Sequence, residues 1–378
     1  MTPITIGIIG TGVISDSYLK GAARSAYITV KSVADARPEA AAAKAAEYGV
    51  AAATPAALLA DPDISIVINL TVPLAHAEVN RAIVAAGKHA YAEKPLCASF
   101  AEARDLLVLA AAAGVRIGGA PDTFLGASHQ ACRRAIDAGR IGTVIAGAAT
   151  VLSHGMEHWH PNPDFFFIKG GGPILDMGPY YVTDLVQLLG PVARVAATTC
   201  IGNKVRTITS QPRAGERLTV EVETTATALL HFASGATITL TASWDVWKNK
   251  RLPFELYGVD GSLLVADPNF FGGTPEISEQ GADWAPLDIT AHPFHANNRA
   301  MRDGREVADY RIIGLLDMAA AIQQNRPHRA SGELTTHVLE VLEAIGTAGA
   351  EKRWVDLTTT CARPAPVPLG VGEEVFAA

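Results

Sequence analysis

Residues 4–15, ITIGIIGTGVIS, decide the fold class that this sequence predicts. The apolar, β-branched run is typical of a buried strand, and the glycine-rich turn after it leads directly into a helical segment. Gly10, Gly12 and Ser15 have the spacing GxGxxG/A, with a small serine in the third position. Gly10 permits the tight turn, and Gly12 lets the backbone approach a pyrophosphate, whose charge the N–H groups at the helix start can bind. The stretch predicts a dinucleotide-binding turn, in which the ligand contacts Gly10, Thr11, Gly12, Val13 and Ile14.

An acidic residue ends the second predicted strand and bears on the choice of nucleotide. Asp35, in SVADAR, stands 35 − 12 = 23 residues after Gly12, near the spacing of ~20 expected for the acid that binds the adenosine ribose. Its carboxylate should bind the ribose 2′-hydroxyl and repel a 2′-phosphate, which favours NAD. Because Arg37 could accept that phosphate, NADP remains the less favoured alternative.

The first third of the chain has the rhythm of a parallel sheet covered by helices on both faces. Alanine-rich helical segments alternate with short apolar runs, which stand at residues 4–10, 29–35, 64–70, 89–94 and 115–121. Three of the helical segments end at a glycine, a common helix stop. We predict a doubly wound Rossmann domain over residues 1–122.

The pattern changes after a further helical segment at residues 128–142. Threonine and apolar residues alternate with period two in TVEVETTATALLHF and GATITLTASWDVW, and RLPFELYG and GSLLVAD continue the series. A helix at residues 171–189 precedes most of these strands, and another at residues 332–349 follows them. We predict an α/β protein whose second domain, residues 123–378, contains a large, mostly antiparallel open sheet. The proline-rich tail, CARPAPVPLGVGEE, is expected to be an extended arm or a disordered end.

Composition excludes several classes of protein. Hydrophobic residues make up 49% of the 378 residues and charged ones 18%, which argues against a disordered chain. A net charge of −7 gives no basic surplus for nucleic acid. Since we find neither a signal peptide nor an uninterrupted apolar stretch of 18 residues, we expect a soluble, cytoplasmic protein without a membrane partner. The four cysteines form no CxxC pair and are expected to be reduced packing residues.

Further candidate contacts with the cofactor follow the third and fourth predicted strands. Side chains at the carboxyl edge of a parallel sheet face the ligand crevice. Glu93 and Lys94, in AEKP, are therefore placed to reach the nicotinamide ribose and the reacting carbon, although a solvated ion pair before a proline turn is the alternative. The loop after the third strand adds Leu70, Thr71, Pro73 and His76, the last of which could instead be a structural histidine at a helix start.

The ordered set GIIGTGVIS, EKP and GGGPILDMGPYYVTDLVQLLG resembles the Gfo/Idh/MocA family, which contains glucose-fructose oxidoreductase and inositol dehydrogenase. The resemblance covers essentially the whole chain. It implies a Rossmann domain followed by an α/β domain whose open sheet often forms the oligomer interface, and we expect a homodimer or homotetramer. It also implies hydride transfer between NAD(P) and a hydroxyl carbon of a sugar, cyclitol or related molecule.

The family motifs map onto particular residues. The lysine of EKP, which lies by the substrate hydroxyl in the family, corresponds to Lys94. The later motif, usually Asp-x-Gly-x-His-x-x-Asp, here has Asp176, Gly178, Tyr180 and Asp184, so a tyrosine replaces the histidine. Glucose-fructose oxidoreductase and the dihydrodiol and xylose dehydrogenases also resemble this chain in having tyrosine there. Many members have an Arg-Phe pair where this chain has Phe124-Leu125, which leaves the charge of the substrate open.

Residues four apart lie on one face of a helix, so Asp176, Tyr180 and Asp184 are expected to form a polar row in a cleft. Pro173 suits the first helical turn, and Pro179 is expected to disturb the helix locally. A phenol, with an ordinary pKa of about 10, becomes a base near neutral pH when an ammonium group lies close to it. Our hypothesis is that Tyr180 accepts the hydroxyl proton, Lys94 polarises the same oxygen, and Asp176 orients the substrate or the lysine. A buried tyrosine with a satisfied hydroxyl is the alternative for Tyr180.

The segment SHGMEHWHPNPDFFF contains the zinc-protease-like spacing HxxEH at His154, Glu157 and His158. A zinc site of this type needs a steady helix and a third ligand, whereas this segment follows a strand and runs into PNP, so we expect no metal. We place His158, Trp159 and His160 on a loop beside the cleft, where an indole can stack on a sugar ring and an imidazole can bind a hydroxyl group. Packing between domains is the alternative for these rings.

Three functions follow from these residues. The first is an NAD-dependent dehydrogenase of a sugar, cyclitol or sugar derivative. The second is an NAD-dependent glycoside hydrolase that oxidises a sugar carbon transiently, eliminates the glycosidic bond and returns the hydride. The third is a cofactor-binding regulator without turnover, which the set Lys94, Asp176 and Tyr180 disfavours.

Overall fold

The computed structural model describes residues 2–301 and 304–376. Its first six strands form one parallel sheet in the order β3-β2-β1-β4-β5-β6. They are β1 (Ile4–Ile9), β2 (Ile28–Ala34), β3 (Ala51–Ala53), β4 (Ile66–Asn69), β5 (His89–Ala92) and β6 (Ile117–Gly119). This strand order is that of a doubly wound Rossmann sheet, so the predicted class of the first domain is confirmed.

Five helices alternate with these strands. They are α1 (Ser15–Arg24), α2 (Pro38–Tyr48), α3 (Pro55–Ala60), α4 (His76–Ala85) and α5 (Phe100–Ala113). Local sequence explains several of their ends. Pro38 and Pro55 stand in first turns, where a missing N–H group costs nothing. Ser99 caps α5 by accepting a hydrogen bond from the N–H group of Glu102, a common start signal.

A nine-stranded sheet dominates the second half of the chain, in the order β16-β15-β14-β13-β7-β12-β11-β8-β19. The β7–β12 pair is parallel and the other pairs of this sheet are antiparallel, which confirms the predicted mixed, mostly antiparallel architecture. The helices and strands of this half, in chain order, are α6 (Ala127–Asp137), β7 (Val144–Leu152), α7 (Pro173–Leu189), β8 (Val192–Cys200), β9 (Val205–Thr207), β10 (Arg217–Thr219), β11 (Thr225–Phe232), β12 (Thr237–Ser243), β13 (Phe254–Gly258), β14 (Gly261–Val265), β15 (Glu276–Glu279), β16 (Ala285–Pro286), β17 (Arg299–Ala300), β18 (Glu306–Val307), α8 (Ile313–Gln323), α9 (Gly332–Glu351) and β19 (Val355–Asp356).

The period-two pattern places one face of this sheet in the core. On β11, the side chains of Ala226, Ala228, Leu230 and Phe232 are buried. Thr227 and Leu229, between them, face away from the core. Helix α7 packs on this apolar face, against β7, β11 and β12.

The chain divides into two compact units that are not continuous in sequence. The first unit comprises residues 1–127, 289–336 and 364–378, and the second comprises residues 128–288 and 337–363. The first unit thus includes β17, β18 and α8, which come from the later part of the chain. The predicted domains, 1–122 and 123–378, stay a prediction about functional domains. Each compact unit is instead built from separate segments of the sequence.

From Pro364 onward, the proline-rich tail is an ordered arm of the first unit. Val367, Val375 and Phe376 are buried, and the last described residues form a short 3₁₀ helix, Gly372–Phe376. The guanidinium group of Arg329 donates hydrogen bonds to the carbonyl oxygens of Ala365 and Pro366, at 2.8 and 2.9 Å. Of the two alternatives for this tail, the extended arm is correct.

Candidate active site

The carboxyl ends of β1, β4 and β5 form a continuous edge of the first sheet. The glycine turn follows β1, the loop that starts at Leu70 follows β4, and Glu93 and Lys94 follow β5. The strand order reverses direction at β1 and β4, and ligands of doubly wound sheets bind in the crevice outside such a switch point. The structure therefore brings the predicted cofactor loops of the first unit to one edge.

Gly10 lies where no other residue fits. Its φ of 102° falls in the region that favours glycine, and a Cβ atom there would lie 2.5 Å from the carbonyl carbon of Leu70. The N–H group of Gly10 donates to the carbonyl of Ala34 at 2.8 Å, which joins the turn to β2. The glycine is required by the close approach of two backbone segments.

Gly12 differs from Gly10 in this respect. A Cβ atom at Gly12 would meet no described atom within 4 Å, and neighbouring Val13 is 92% exposed. Packing within the described chain therefore gives no reason for a glycine here, whereas the approach of a phosphate group does. Ser15 is fully buried and donates its hydroxyl to the carbonyl of Gly12 at 2.7 Å, so the serine in the third position stabilises the turn.

Asp35 is held by the same turn. One carboxylate oxygen accepts hydrogen bonds from the N–H and hydroxyl groups of Thr11, both at 2.8 Å, and the other accepts from the N–H group of Arg37 at 3.0 Å. Burial would raise the pKa of Asp35, but the hydrogen bonds from Arg37 and Thr11 outweigh it, and the pKa lies below its ordinary value. The group is thus an ionised acceptor at the edge of the sheet. The side chain of Arg37 is 74% exposed, with its Nε atom 4.0 Å from the carboxylate.

His76 connects the loops after β4 and β5. Its ring is 1% exposed, with Nδ1 2.6 Å from the carbonyl oxygen of Pro95 and Nε2 3.0 Å from that of Thr71. Asn69, at the end of β4, donates to the carbonyl of His76 at 3.1 Å and accepts from the Thr71 hydroxyl at 2.6 Å. These bonds support the structural alternative for His76, whose contact with a cofactor stays a prediction.

Glu93 is a buried carboxylate with partners on both oxygens. The hydroxyl of Tyr18 donates to Oε1 at 2.8 Å, and the N–H group of Lys94 donates to Oε2 at 3.0 Å. A guanidinium nitrogen of Arg311 lies 3.5 Å from Oε1. The alternative of a solvated Glu-Lys pair is therefore wrong for Glu93, which is 7% exposed. Lys94 is half-buried at the carboxyl edge of the sheet.

Helix α7 contains the second group of candidate residues. It starts at Pro173 and continues through Pro179 to Leu189. Asp176 is half-buried and Tyr180 is 7% exposed, and their spacing of four places them on one face of the helix. The helix thus places Asp176 and Tyr180 on one face, as their spacing predicts.

The expectation that Asp184 continues this row in a cleft is wrong. Its carboxylate is fully buried, 2.8 Å from Nδ1 of His129, and accepts a hydrogen bond from the Gln187 amide at 2.9 Å. Burial alone would lower the pKa of His129, but Asp184 and the Phe270 carbonyl outweigh it and raise the pKa above its ordinary value. Asp184 therefore fixes α7 against α6 in the core of the second unit.

The loop after β7 carries the aromatic residues that were expected to contact substrate. His158 and Trp159 are exposed, and the half-buried ring of His160 packs edge-on against Trp159, Phe165 and Phe166 at centroid distances of 5.3–5.4 Å. The structure brings these rings together within the second unit. Their contact with a substrate stays a prediction.

The HxxEH segment lacks the helix that a zinc protease site requires. Glu157 is buried and accepts a hydrogen bond from the guanidinium group of Arg206 at 2.6 Å, and Arg206 also pairs with Asp245. No set of three or more His, Cys, Asp and Glu side chains in residues 2–301 and 304–376 is placed to hold a metal ion. The segment instead contributes to a buried ion pair.

Family models match both halves of the chain. Residues 4–119 match the oxidoreductase family with an NAD-binding Rossmann fold, and residues 129–264 match the GFO/IDH/MocA C-terminal domain. The 1,5-anhydro-D-fructose reductase of Ensifer adhaerens is 30% identical over 295 residues, which cover 75% of this chain and 82% of the reductase. The chain belongs to the Gfo/Idh/MocA family of oxidoreductases.

Other relatives agree with this assignment. The levoglucosan dehydrogenase of Pseudarthrobacter phenanthrenivorans is 25% identical over 70% of this chain and 74% of the dehydrogenase. A solved structure of levoglucosan dehydrogenase in complex with NADH superimposes with a TM-score of 0.81 at 22% identity, covering 95% of this chain and all of the other. The predicted family and the predicted fold are confirmed. No helix in the described parts of the chain is both long enough and apolar enough to span a bilayer.

Several polar residues at this Gfo/Idh/MocA site were missed by the sequence prediction. Tyr18 holds Glu93, and Asn69 holds the loop after β4. Each had a sequence signal, because an asparagine at the end of the otherwise apolar run IVIN, or a tyrosine on the buried side of α1, is a polar group that needs a partner. Arg311 also lies beside Glu93, from 218 positions further along the chain.

Proposed function

We propose that this protein is an NAD-dependent oxidoreductase that transfers a hydride between the nicotinamide cofactor and a hydroxyl carbon of a sugar, cyclitol or sugar derivative. The observation that carries the proposal is the turn after β1, in which Gly12 is open to a ligand and Thr11 holds an ionised Asp35. An ionised carboxylate at this position accepts hydrogen bonds from a ribose diol and repels a phosphate, which favours NAD over NADP.

The residues of the first unit fit the cofactor. The N–H groups at the start of α1 and the open backbone at Gly12 would hold the pyrophosphate, and Asp35 would bind the adenosine ribose. We assign the remaining contacts to the loops after β1, β2, β4 and β5, through Gly10, Thr11, Val13, Ile14, Arg37, Leu70, Thr71, Pro73, His76, Glu93 and Lys94. The cofactor, when bound, supplies the group that accepts or returns the hydride.

Three side chains have catalytic roles in this proposal. Tyr180 accepts the proton of the substrate hydroxyl, and the ammonium group of Lys94 polarises the same oxygen. Asp176, on the same helix face as Tyr180, orients the substrate or the lysine. The proposal requires Lys94 and Tyr180 to reach one substrate oxygen together.

The substrate class rests on the family and on the aromatic loop. Curated relatives include enzymes named for 1,5-anhydro-D-fructose and levoglucosan. We assign His158, Trp159 and His160 to the substrate, since an exposed indole can stack on a sugar ring and imidazole nitrogens can bind its hydroxyl groups. The outer face of the nine-stranded sheet consists mostly of threonine, alanine and serine, with Leu229 and Tyr257. This face suits assembly into a homodimer or homotetramer. We also place the enzyme in the cytoplasm.

The proposal is tested by turnover with a panel of sugars, cyclitols and glycosides, supplied with NAD or with NADP. NADH absorbance and sugar products are followed together. We expect NADH formation with at least one substrate, and a loss of ~10²-fold or more in kcat/KM for both Tyr180→Phe and Lys94→Ala. Equal use of NAD and NADP by the unmodified protein would contradict the assignment of Asp35.

The control lies one residue further along α7. Tyr181 is buried and donates its hydroxyl to Asp267 at 3.3 Å, so Tyr181→Phe removes a phenol from the same helix without touching the proposed chemistry. We expect this variant to keep its turnover. Near-normal activity of both Tyr180→Phe and Lys94→Ala would refute the catalytic assignment, and release of an aglycone without NADH accumulation would replace the dehydrogenase by the glycoside hydrolase.

A further inference from the structure

Arg311 reaches the candidate active site from a distant part of the sequence. It precedes α8 by two residues, and its guanidinium group lies 3.5 Å from the carboxylate of Glu93, at the end of β5. We propose that Arg311 and Tyr18 are positioning residues, which hold the Glu93 carboxylate and with it the backbone of Lys94 in the orientation that the cofactor requires. This inference rests on the proposed function, because it assigns Glu93 to the cofactor.

Burial explains why Glu93 needs both partners. A carboxylate removed from water is costly unless its oxygens accept hydrogen bonds and an opposite charge lies near. The side chains of Arg311 and Glu93 are 13% and 9% exposed, so their attraction is weakly screened by water. The Tyr18 hydroxyl, at 2.8 Å, makes the shorter and more directional contact. Tyr18 thus sets the direction of the carboxylate, and Arg311 compensates its charge.

The backbone around Arg311 is fixed by contacts with two other elements, α1 and the loop after β6. Ile312 has a φ of 104°, which is rare for a β-branched residue. The buried carboxylate of Asp122, just after β6, accepts hydrogen bonds from the N–H groups of Ile312 and Gly314, at 3.3 and 3.0 Å. A Cβ atom at Gly21 of α1 would lie 2.5 Å from the Arg311 carbonyl oxygen.

A second buried ion pair on α8 shows what a purely structural role looks like. Asp317 is fully buried and pairs with Arg326, at 3.0 Å, and with Arg329. Arg329 then bonds to the tail, at Ala365 and Pro366, and makes no contact of this kind with the loop after β5. In the Glu93–Arg311 pair, by contrast, the carboxylate also accepts a hydrogen bond from the N–H group of Lys94. This pair lies at the carboxyl edge of the sheet, where ligands bind, so the orientation of its carboxylate affects a bound ligand.

The experiment measures the affinity for NADH by fluorescence titration, which requires no turnover. For Arg311→Gln we expect a fall in affinity of ~10-fold or more, since the buried carboxylate loses its charged partner. Arg311→Lys restores the charge and should recover most of that loss. Tyr18→Phe should also weaken NADH binding. In steady-state kinetics, the KM for NAD should rise while the KM for the sugar stays within about twofold.

The matched control is Arg329→Gln, which removes a buried arginine from the other ion pair of the same unit. We expect it to lower the thermal stability of the protein while NADH affinity stays near that of the unmodified chain. If Arg311→Gln and Tyr18→Phe bind NADH as the unmodified protein does, the inference is overturned. It is also overturned if Arg329→Gln weakens NADH binding as much as Arg311→Gln. If Arg311→Gln does not fold, Arg311→Lys and Tyr18→Phe decide the question by the same titration.

The two hypotheses can fail separately. Turnover failure with every sugar, alongside normal NADH binding, would reject the dehydrogenase but leave the titration of the Arg311 variants decisive. Conversely, unchanged NADH affinity in these variants would reject the positioning role and leave the dehydrogenase intact.

Discussion

At the residue scale, the two glycines of the turn after β1 are glycines for different physical reasons. Gly10 is excluded from carrying a side chain by its φ of 102° and by the backbone of Leu70, whereas nothing in the described chain lies within 4 Å of a Cβ atom at Gly12. Folding requires the first glycine, and we attribute the second to the approach of the cofactor that we propose. A sequence motif that treats both positions alike therefore combines two separate requirements.

This difference predicts opposite outcomes for two alanine substitutions. Gly10→Ala should reduce the free energy of unfolding by more than ~1 kcal/mol, because the new side chain is strained and meets backbone atoms that cannot rotate away. Gly12→Ala should change that free energy by less than ~0.5 kcal/mol and weaken NADH binding. Urea denaturation and fluorescence titration measure the two quantities. The interpretation fails if Gly12→Ala destabilises the fold and leaves NADH affinity unchanged.

The sequence predicted those site residues that short motifs encode. Gly10, Gly12, Asp35 and Glu93 lie at the expected edge because strand, turn and helix succeed each other within a few residues. The contacts of Glu93 with Tyr18 and Arg311 join residues 75 and 218 positions apart, and no local pattern encodes such distances. For the same reason the burial of Asp184 beside His129 was missed.

At the element scale, the sequence missed one short strand, β3, and one interruption of the alternating pattern. β3 consists of three alanines, which carry no β-branched or alternating signal. The alternating stretch at residues 219–232 reads as one strand, but β10 ends at Thr219 and β11 starts at Thr225. Between them, the N–H group of Thr224 bonds to the carbonyl of Cys200 and that of Val220 to Lys204, so the chain leaves the regular ladder.

His337 joins helix α9 to strand β8 and predicts a pH dependence. Its buried ring accepts a hydrogen bond from the N–H group of Val192 at 3.0 Å through Nε2, which requires the unprotonated nitrogen. Burial lowers the pKa of His337 to about 4, and the Glu340 carboxylate opposes this only in part. Between the ordinary pKa of a histidine, near 6.5, and pH 4, the unfolded chain binds a proton that the folded chain does not, so stability falls as the pH decreases.

We therefore expect the unmodified protein to lose about 3 kcal/mol relative to His337→Gln between pH 7 and pH 4. Glutamine can still accept from Val192 but does not titrate in this range. The measurement is urea denaturation of both proteins across the interval, because carboxylates elsewhere titrate equally in both and cancel in the difference. A difference that stays constant with pH would show that His337 is not the titrating group.

At the scale of the whole molecule, order along the chain and membership of a compact unit diverge. The sequence predicted two domains in succession because motifs are read in order, and the two family models also follow one another. The structure instead adds residues 289–336 and 364–378 to the first unit. Proline-rich composition indicated the extended character of the tail, but not the surface on which it packs.

The packing of the tail predicts that the NAD-binding unit depends on the last described residues, up to Phe376. Phe376 is 1% exposed, stacks on Phe294 at a centroid distance of 5.8 Å, and accepts a hydrogen bond from Gln324 through its carbonyl. Phe376→Ala should cost about 3–5 kcal/mol, as for other buried phenylalanines. Val371, in the same segment, is 86% exposed, and Val371→Ala should cost less than ~0.5 kcal/mol.

Thermal unfolding with and without NADH assigns the loss to a unit, because a ligand stabilises the unit that binds it. For Phe376→Ala we expect the unfolding transition that NADH shifts upward to occur at a lower temperature, while Val371→Ala unfolds like the unmodified protein. If Phe376→Ala lowered a transition that NADH does not shift, the tail would support another part of the molecule. Since Glu373 also accepts hydrogen bonds from Ser25 and Ala26, directly after α1, the tail contacts the helix whose first turn is assigned to the pyrophosphate.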